Sequence, residues 1–309
     1  MSLVLALTIP FFALIFLGMF TRVIGFLGPD DARTLSKFAF FVALPPMMFT
    51  KVAAGDAMEI LNWGFIWRYE LATIIVFLAG ALIGRSMFGL SRLESGVFGL
   101  NSGYPNYGYL GVPMVILAFG DAAALPIALL LFADSVVLLA VLACFVAATG
   151  GGLFQTFGRA LITMAKNPLV ISVVAGLLFS ASGLKMPSML ASVLNLLGNA
   201  APPIALFALG ATVYGQPIKS AFGEMGAISI MRLLVHPALV AVLFLMVPGQ
   251  DPLWIKVAIL SACLPVAANV FVLSDHYGGY SGRSASAILV TTVLASLTVP
   301  VVMYYLFQI

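Results

Sequence analysis

Residues 96–120 read GVFGLNSGYPNYGYLGVPMVILAFG, an apolar segment that is interrupted at its centre. Pro105 has no amide hydrogen, and in a helix its ring clashes with the carbonyl group four residues earlier. Gly103 and Gly108 weaken the helix on either side of this proline. Backbone groups freed in hydrocarbon cost free energy unless they line a cavity or meet polar partners. We therefore expect two half-helices that meet at an unwound crossing rich in polar side chains.

A second apolar segment, residues 255–278, is interrupted in the same way. It reads IKVAILSACLPVAANVFVLSDHYG, with Pro265 near its centre. Each interruption leaves a half-helix N-terminus with free amide groups, and two such ends facing one cavity can bind an anion without a basic side chain. The candidate residues for binding a small carboxylate are Asn101, Tyr104, Pro105, Asn106, Tyr107, Pro265 and Asn269. The alternative is a pair of proline kinks stabilised only by their neighbours.

The composition restricts the class of protein. The 309 residues are 62% hydrophobic and 8% charged, whereas soluble chains are about 45–50% apolar and about 25% charged. These values exclude a soluble enzyme, a nucleic-acid binder and a disordered chain. A membrane-spanning helix needs about 20 apolar residues, so the apolar content suffices for nine or ten helices. The lipid bilayer is therefore one expected partner, and nucleic acid is not.

Hydropathy divides the chain into ten apolar segments. They cover residues 3–21, 35–54, 64–87, 94–119, 122–148, 167–184, 190–213, 225–247, 253–276 and 285–307. The odd-numbered loops carry Arg22, Arg33, Lys37, Arg85, Arg92, Arg159, Lys166, Lys219 and Arg283, and the even-numbered loops only Lys51, Lys185 and Lys256. Because basic loops stay in the cytoplasm, both termini are expected on the outer side of the cytoplasmic membrane.

Two proline landmarks recur at about half the chain length. Pro46 and Pro203 are 157 residues apart, and Pro105 and Pro265 are 160 apart. Five segments in each half would place the second half inverted in the membrane, as in many secondary transporters. We therefore predict an all-α membrane protein of ten transmembrane helices. They form one domain, 1–309, made of two inverted five-helix repeats, about 1–150 and about 165–309, with helices 4 and 9 broken at the crossing.

Several ionisable residues lie inside the apolar segments. Asp134 is a candidate proton carrier, or else a fixed hydrogen-bond partner for Ser135. Arg232 and His236 lie four apart on one helix face and could bind an anion or relay a proton. The alternative for this pair is that Arg232 extends to the interface and His236 is a satisfied core residue. Asp134 and His236 are thus the candidates for proton or ion coupling.

Other ionisable residues lie near segment ends. We interpret Arg68 and Glu70 as interfacial, while Asp275 and His276 belong either to a gate or to a surface turn. The sequence contains no HExxH, GxSxG or GxxxxGK[ST] motif, so no enzyme activity or ATP-driven pumping is expected. No metal or cofactor is expected either, because the two cysteines lie in apolar runs.

The two interruptions resemble those of the auxin efflux carrier (AEC) family, which includes the plant PIN carriers, within the bile acid/sodium symporter-like superfamily. The resemblance rests on residues 105–113, PNYGYLGVP, on residues 264–272, LPVAANVFV, and on the tail from Tyr277 to Pro300. The resemblance covers essentially the whole chain. Because the chain lacks the large cytoplasmic loop of long plant carriers, it resembles the minimal prokaryotic form.

This resemblance implies an elevator-type permease for carboxylates, with malate or malonate as bacterial substrates and auxin as the plant one. It implies a scaffold part and a moving transport part, and it places Pro105, Asn106 and Pro265 at the crossing with Asn269 close by. A sodium-coupled symporter of bile-acid-like anions is the alternative function, and a ligand sensor without transport is a minor one. A homodimer is left open.

Overall fold

The computed structural model describes residues 2–55, 62–147, 165–214, 222–247, 249–277 and 280–308, together with Gly158 and Ile162. Most of these residues are helical, and helices are present in each of the ten predicted apolar segments. The helices are α1 Ser2–Val23, α2 Pro29–Phe38, α3 Leu44–Ala53, α4 Trp63–Met87, α5 Arg92–Gly103, α6 Val112–Phe119, α7 Ala124–Ala147, α8 Pro168–Ser182, α9 Ser188–Val213, α10 Phe222–Ile230, α11 His236–Leu245, α12 Pro252–Ala262, α13 Asn269–Tyr277 and α14 Ser281–Leu306.

Six described stretches are long and apolar enough to cross a membrane. They are Pro29–Ala53, Trp63–Met87, Asp121–Ala143, Ser188–Val213, Phe222–Leu245 and Ser281–Leu306. Shorter apolar helices are Thr8–Val23, Tyr107–Phe119, Pro168–Ser182 and Pro252–Ala262. The chain is therefore an all-helical protein with several membrane-spanning helices, and the ten-helix inverted repeat stays a prediction.

Three widened π-helical turns precede helices that have proline in their first turn. The turns are Ala39–Ala43, Tyr107–Gly111 and Met231–Val235. The helices that follow carry Pro45, Pro113 and Pro237 near their N-termini. Proline cannot donate to the carbonyl group four residues earlier, and its ring pushes that carbonyl aside, so the preceding turn widens. These prolines lie within continuous helical stretches and do not end them.

The prolines at the two predicted interruptions end their helices. The α5 helix stops at Gly103 and α12 stops at Ala262, and α13 starts at Asn269. Pro105 and Val266 form an isolated antiparallel bridge, which is the sole β pairing in the described ranges. Both interruptions inferred from Pro105 and Pro265 are therefore present.

The chain forms two compact units, which are described separately. The first unit comprises Met1–Trp63, Tyr107–Leu131 and Ala165–Gly215. Within it α1 packs against α9, and α3 packs against α8. The α1 and α9 backbones meet so closely that a Cβ atom on Gly210 would lie 1.8 Å from the carbonyl oxygen of Ile15. Glycine at this position is what permits the close helix contact.

The second unit comprises Gly64–Asn106, Phe132–Met164 and Gln216–Ile309. Within it α5 contacts α10, α13 and α14, and α11 packs against α12. The interrupted segments around Pro105 and Pro265 both belong to this unit, as do Asp134 and Arg232. Each unit takes segments from both halves of the chain, so neither unit corresponds to a single predicted repeat.

Candidate functional site: the crossing of the interrupted helices

Two backbone hydrogen bonds join the interrupted segments. The Asn106 amide donates to the Pro265 carbonyl at 2.9 Å, and the Ala267 amide donates to the Tyr104 carbonyl at 3.0 Å. The Val266 amide donates to the Thr291 hydroxyl at 3.1 Å. Backbone groups freed by the prolines are thus paired with one another or with a side chain, which is what an unwound stretch inside a membrane protein needs.

Six of the seven predicted substrate residues lie in the second unit, at or beside this bridge. Asn101 and Asn106 are buried, with 0% and 2% of their surfaces exposed. The Asn101 amide group donates to the Val97 carbonyl at 2.8 Å and to the Ser284 hydroxyl at 2.9 Å. Asn101 therefore connects α5 to α14, and its amide hydrogens are directed at protein.

Tyr104 and Asn269 are brought together from the two interrupted segments. The Asn269 amide group donates to the Tyr104 hydroxyl at 3.4 Å, and that hydroxyl lies 3.1 Å from the Ser135 hydroxyl on α7. A line of polar groups therefore runs from the start of α13 to α7. The seventh residue, Tyr107, is buried but opens the π-helical turn assigned to the first unit.

Arg232 lies at the crossing, a position that its place in the sequence does not reveal. Its side chain is fully buried. The guanidinium group donates from Nε to the Leu264 carbonyl at 2.8 Å, from Nη1 to the Gly103 carbonyl at 2.9 Å and from Nη2 to the Ala262 carbonyl at 2.8 Å. It therefore binds the C-terminal ends of both α5 and α12. Arg232 does not extend to an interface, so that part of the alternative is wrong, whereas His236 is a buried residue with partners for both ring nitrogens.

His236 supports Arg232 from one turn further along the chain. Its Nδ1 atom lies 2.6 Å from Nη1 of Arg232, and its Nε2 atom lies 3.0 Å from the Thr73 hydroxyl. Because an arginine can only donate, Nδ1 must be the acceptor and the ring hydrogen must sit on Nε2. This arrangement fixes a neutral imidazole with both nitrogens occupied by protein groups.

Two buried carboxyl groups face each other beside the crossing. Glu70 on α4 and Asp134 on α7 have exposed fractions of 5% and 0%, and their carboxyl groups are close enough to interact electrostatically. Neither Glu70 oxygen accepts from an N–H or O–H group of the described residues. Asp134 also precedes Ser135, which contacts Tyr104. Glu70 and Arg68 are both buried within the protein, and their position at the membrane interface stays a prediction.

The Arg68 side chain makes contacts close by in the chain. It donates to the Gly64 carbonyl at 2.8 Å and lies over the Trp67 ring. At the far end of the second unit Asp275 is exposed, and the His276 side chain is outside the described residues. The centre of the candidate site is residues 105–106 and 264–267, because the two backbone hydrogen bonds of the bridge lie there.

A separate polar cluster holds the start of α14. The Tyr280 hydroxyl donates to the buried Glu224 carboxylate, which also pairs with Arg283 at 3.3 Å. Burial, and then the hydrogen bond to Glu224, raise the pKa of Tyr280. This cluster ties α10 to α14. No group of three or more His, Cys, Asp or Glu side chains suited to a metal ion is found in the described part of the chain.

The crossing of two interrupted helices in an all-helical, membrane-spanning chain is the architecture of a membrane transporter. The family model described as "Membrane transport protein" matches residues 3–156 and 153–303. The chain belongs to this family, and the AEC resemblance inferred from the crossings is confirmed.

Individual relatives agree with this assignment. A protein of Rhizobium meliloti (strain 1021) named "Putative malonate transporter" is 32% identical over 98% of this chain and 96% of its own length. An Oryza sativa subsp. japonica protein named "Probable auxin efflux carrier component 1b" is 29% identical over 46% of this chain and 26% of its own length. The solved sodium proton antiporter MjNhaP1 of Methanocaldococcus jannaschii has a similar fold, with a TM-score of 0.54, 13% identity and coverage of 100% and 96% of the two chains.

Proposed function

We propose that this protein is a secondary transporter that carries small organic anions, with mono- or dicarboxylates of malonate or malate size as substrates. The observation that carries the proposal is the crossing itself. Its backbone is unwound, its Tyr104–Asn269 pair offers hydroxyl and amide groups, and the N-terminus of α13 favours negative charge. The relative named for malonate supports a carboxylate substrate.

The bound carboxylate lies at the start of α13 in this proposal. Asn269 and Tyr104 donate to it, and Asn106 presents its side chain from the other strand of the bridge. Asn101 positions α5 rather than the ligand, because its amide hydrogens are already directed at Val97 and Ser284. The second unit carries the site and moves in an elevator-type cycle across the cytoplasmic membrane, with both chain termini on the outer side.

Coupling takes place at Asp134, with Glu70 as its partner. Two ionised carboxylates side by side in a buried site would repel strongly, so the pair holds one proton in this arrangement. His236 is less suited to carry the proton, because both of its nitrogens are occupied by Arg232 and Thr73. Ser135 and Tyr104 connect Asp134 to the substrate position.

Ligand binding by the purified protein tests the substrate proposal. Melting temperatures are measured with a series of mono- and dicarboxylates, and Asn106→Ala is compared with Asn195→Ala, an exposed asparagine on α9. Dose-dependent stabilisation of the wild type and of Asn195→Ala, but not of Asn106→Ala, is the expected result. Equal stabilisation of both variants would remove Asn106 from the site, and no response to any carboxylate would overturn the anion substrate.

Uptake into proteoliposomes tests the coupling. A pH gradient is expected to drive uptake of the identified acid, and an equal sodium gradient at constant pH is not. Asp134→Asn is expected to abolish the response to the pH gradient while substrate binding remains. Uptake driven by sodium alone would favour a sodium-coupled symporter instead, which is the alternative that the sequence leaves open.

A further inference from the structure

The C-terminal ends of α5 and α12 converge on one guanidinium group. A helix C-terminus carries roughly half a negative charge because its last carbonyl groups have no intrahelical partner. Gly103 ends α5 and Ala262 ends α12, and both carbonyls accept from Arg232. One positive charge therefore faces two negative helix ends that together amount to about one charge.

The guanidinium group has no hydrogen left for a substrate. Nε donates to Leu264, Nη1 donates to Gly103 and His236, and Nη2 donates to Ala262, with the Ser261 carbonyl at 3.5 Å. A guanidinium has five N–H groups, and each is directed at protein. A direct ion pair between this arginine and a bound carboxylate would require breaking one of these hydrogen bonds.

We infer that Arg232 is the positioning residue of the crossing and that its charge gives the crossing its preference for anions. With the two carbonyl ends neutralised, the positive amide end of α13 remains, and the local field favours a carboxylate. Arg232 also holds Leu264, next to Pro265, and so keeps the strand that presents Asn269 in place. His236 and Thr73 orient the guanidinium plane from the opposite side.

The anion part of this inference rests on the proposed function, but the positioning part does not. Hydrogen–deuterium exchange reports the positioning directly, since the amides of Asn106 and Ala267 form the two hydrogen bonds of the bridge. In Arg232→Gln these two amides are expected to exchange at least tenfold faster than in the wild type. Amides of α9 in the first unit are expected to keep their rates. Unchanged exchange at Asn106 and Ala267 would overturn the positioning role.

Two substitutions separate charge from hydrogen bonding. Arg232→Lys keeps the charge with fewer donors, and Arg232→Gln keeps an amide donor without the charge. If the charge sets the preference for anions, Lys retains carboxylate affinity within about tenfold of the wild type, and Gln loses at least a hundredfold. Equal affinities in the two variants, or tighter binding by Gln, would overturn the electrostatic role.

Thr73→Val provides a milder test should both arginine variants fail to fold. It removes the hydroxyl group that holds Nε2 of His236 and leaves Arg232 in place. The expected result is a two- to fivefold loss of carboxylate affinity with a smaller increase of exchange at Asn106. If affinity and exchange both stay at wild-type values, His236 and Thr73 do not orient the guanidinium. A wild type that binds no carboxylate refutes the proposed function and the anion preference together, and leaves the exchange result to decide the positioning role.

Discussion

Replacing Gly210 by alanine tests the close contact between the α1 and α9 backbones. The added Cβ atom would lie 1.8 Å from the Ile15 carbonyl oxygen, whereas real Cβ contacts are essentially never under 3.0 Å. The α1 and α9 backbones must therefore separate by at least 1.2 Å, the difference between these two distances. The atom in the way is backbone, so no side-chain rotation can relieve the overlap.

The magnitude follows from the lost packing. A radial gap of about 0.5–1 Å already forfeits a quarter to a half of each dispersion contact, and overpacking of a core costs about 1–3 kcal/mol. We expect Gly210→Ala to lower the free energy of unfolding by about 3 kcal/mol. A loss of this size lowers the melting temperature by roughly 6–10 °C. Gly18→Ala, whose Cβ would lie 2.1 Å from the Phe207 carbonyl oxygen, should behave alike.

Thermal unfolding of the purified protein in detergent provides the assay. Gly226→Ala is the matched control, because no described atom lies within 4 Å of a Cβ at that helical position. The control should gain up to about 1 kcal/mol from the higher helix propensity of alanine. Equal melting temperatures for Gly210→Ala and Gly226→Ala would refute the close contact between α1 and α9.

Three further predictions concern the second unit. Tyr104→Phe removes the hydroxyl group that lies 3.1 Å from the Ser135 hydroxyl and 3.4 Å from the Asn269 amide. Carboxylate affinity, measured by titration calorimetry, should fall about 5–30-fold. The control Tyr305→Phe, at an exposed tyrosine, should leave the affinity unchanged. Tyr280→Phe leaves the buried Glu224 carboxylate without its hydroxyl donor and should destabilise the protein by about 1–3 kcal/mol in thermal unfolding, an expectation that an unchanged melting temperature would contradict. Glu70→Gln should bind substrate but make liposome uptake insensitive to a pH gradient; retained sensitivity would show that Glu70 takes no part in coupling.

The interruptions could be predicted from sequence because their causes are local. Proline loses its amide hydrogen and fixes its own backbone angle wherever it stands, and a membrane leaves few ways to pair the freed groups. Pro105 and Pro265 therefore identified the two breaks. Pro202 and Pro203 show the limit of this reasoning, because they lie inside the continuous helix α9. The corresponding proline of the first half, Pro45, instead follows a π-helical turn.

The roles of Arg232 and Glu70 could not be predicted in the same way. Arg232 stands in an apolar segment with His236 one turn later, and that spacing indicates a functional pair. The spacing does not reveal which carbonyl groups they meet, because Gly103 and Ala262 are far away in sequence. For Glu70, the neighbouring tryptophans favour an interfacial position, but they do not reveal that the carboxyl group is buried near Asp134.

The sequence by itself determined that this chain crosses a membrane, where two of its segments break, and that amide and tyrosine side chains surround the breaks. Only the tertiary structure decided that one arginine binds both broken ends and that two carboxyl groups share one buried site. The physical reason is that hydropathy and proline chemistry act within a single segment. A membrane helix is apolar on nearly every face, so its sequence carries little information about which face meets which neighbour.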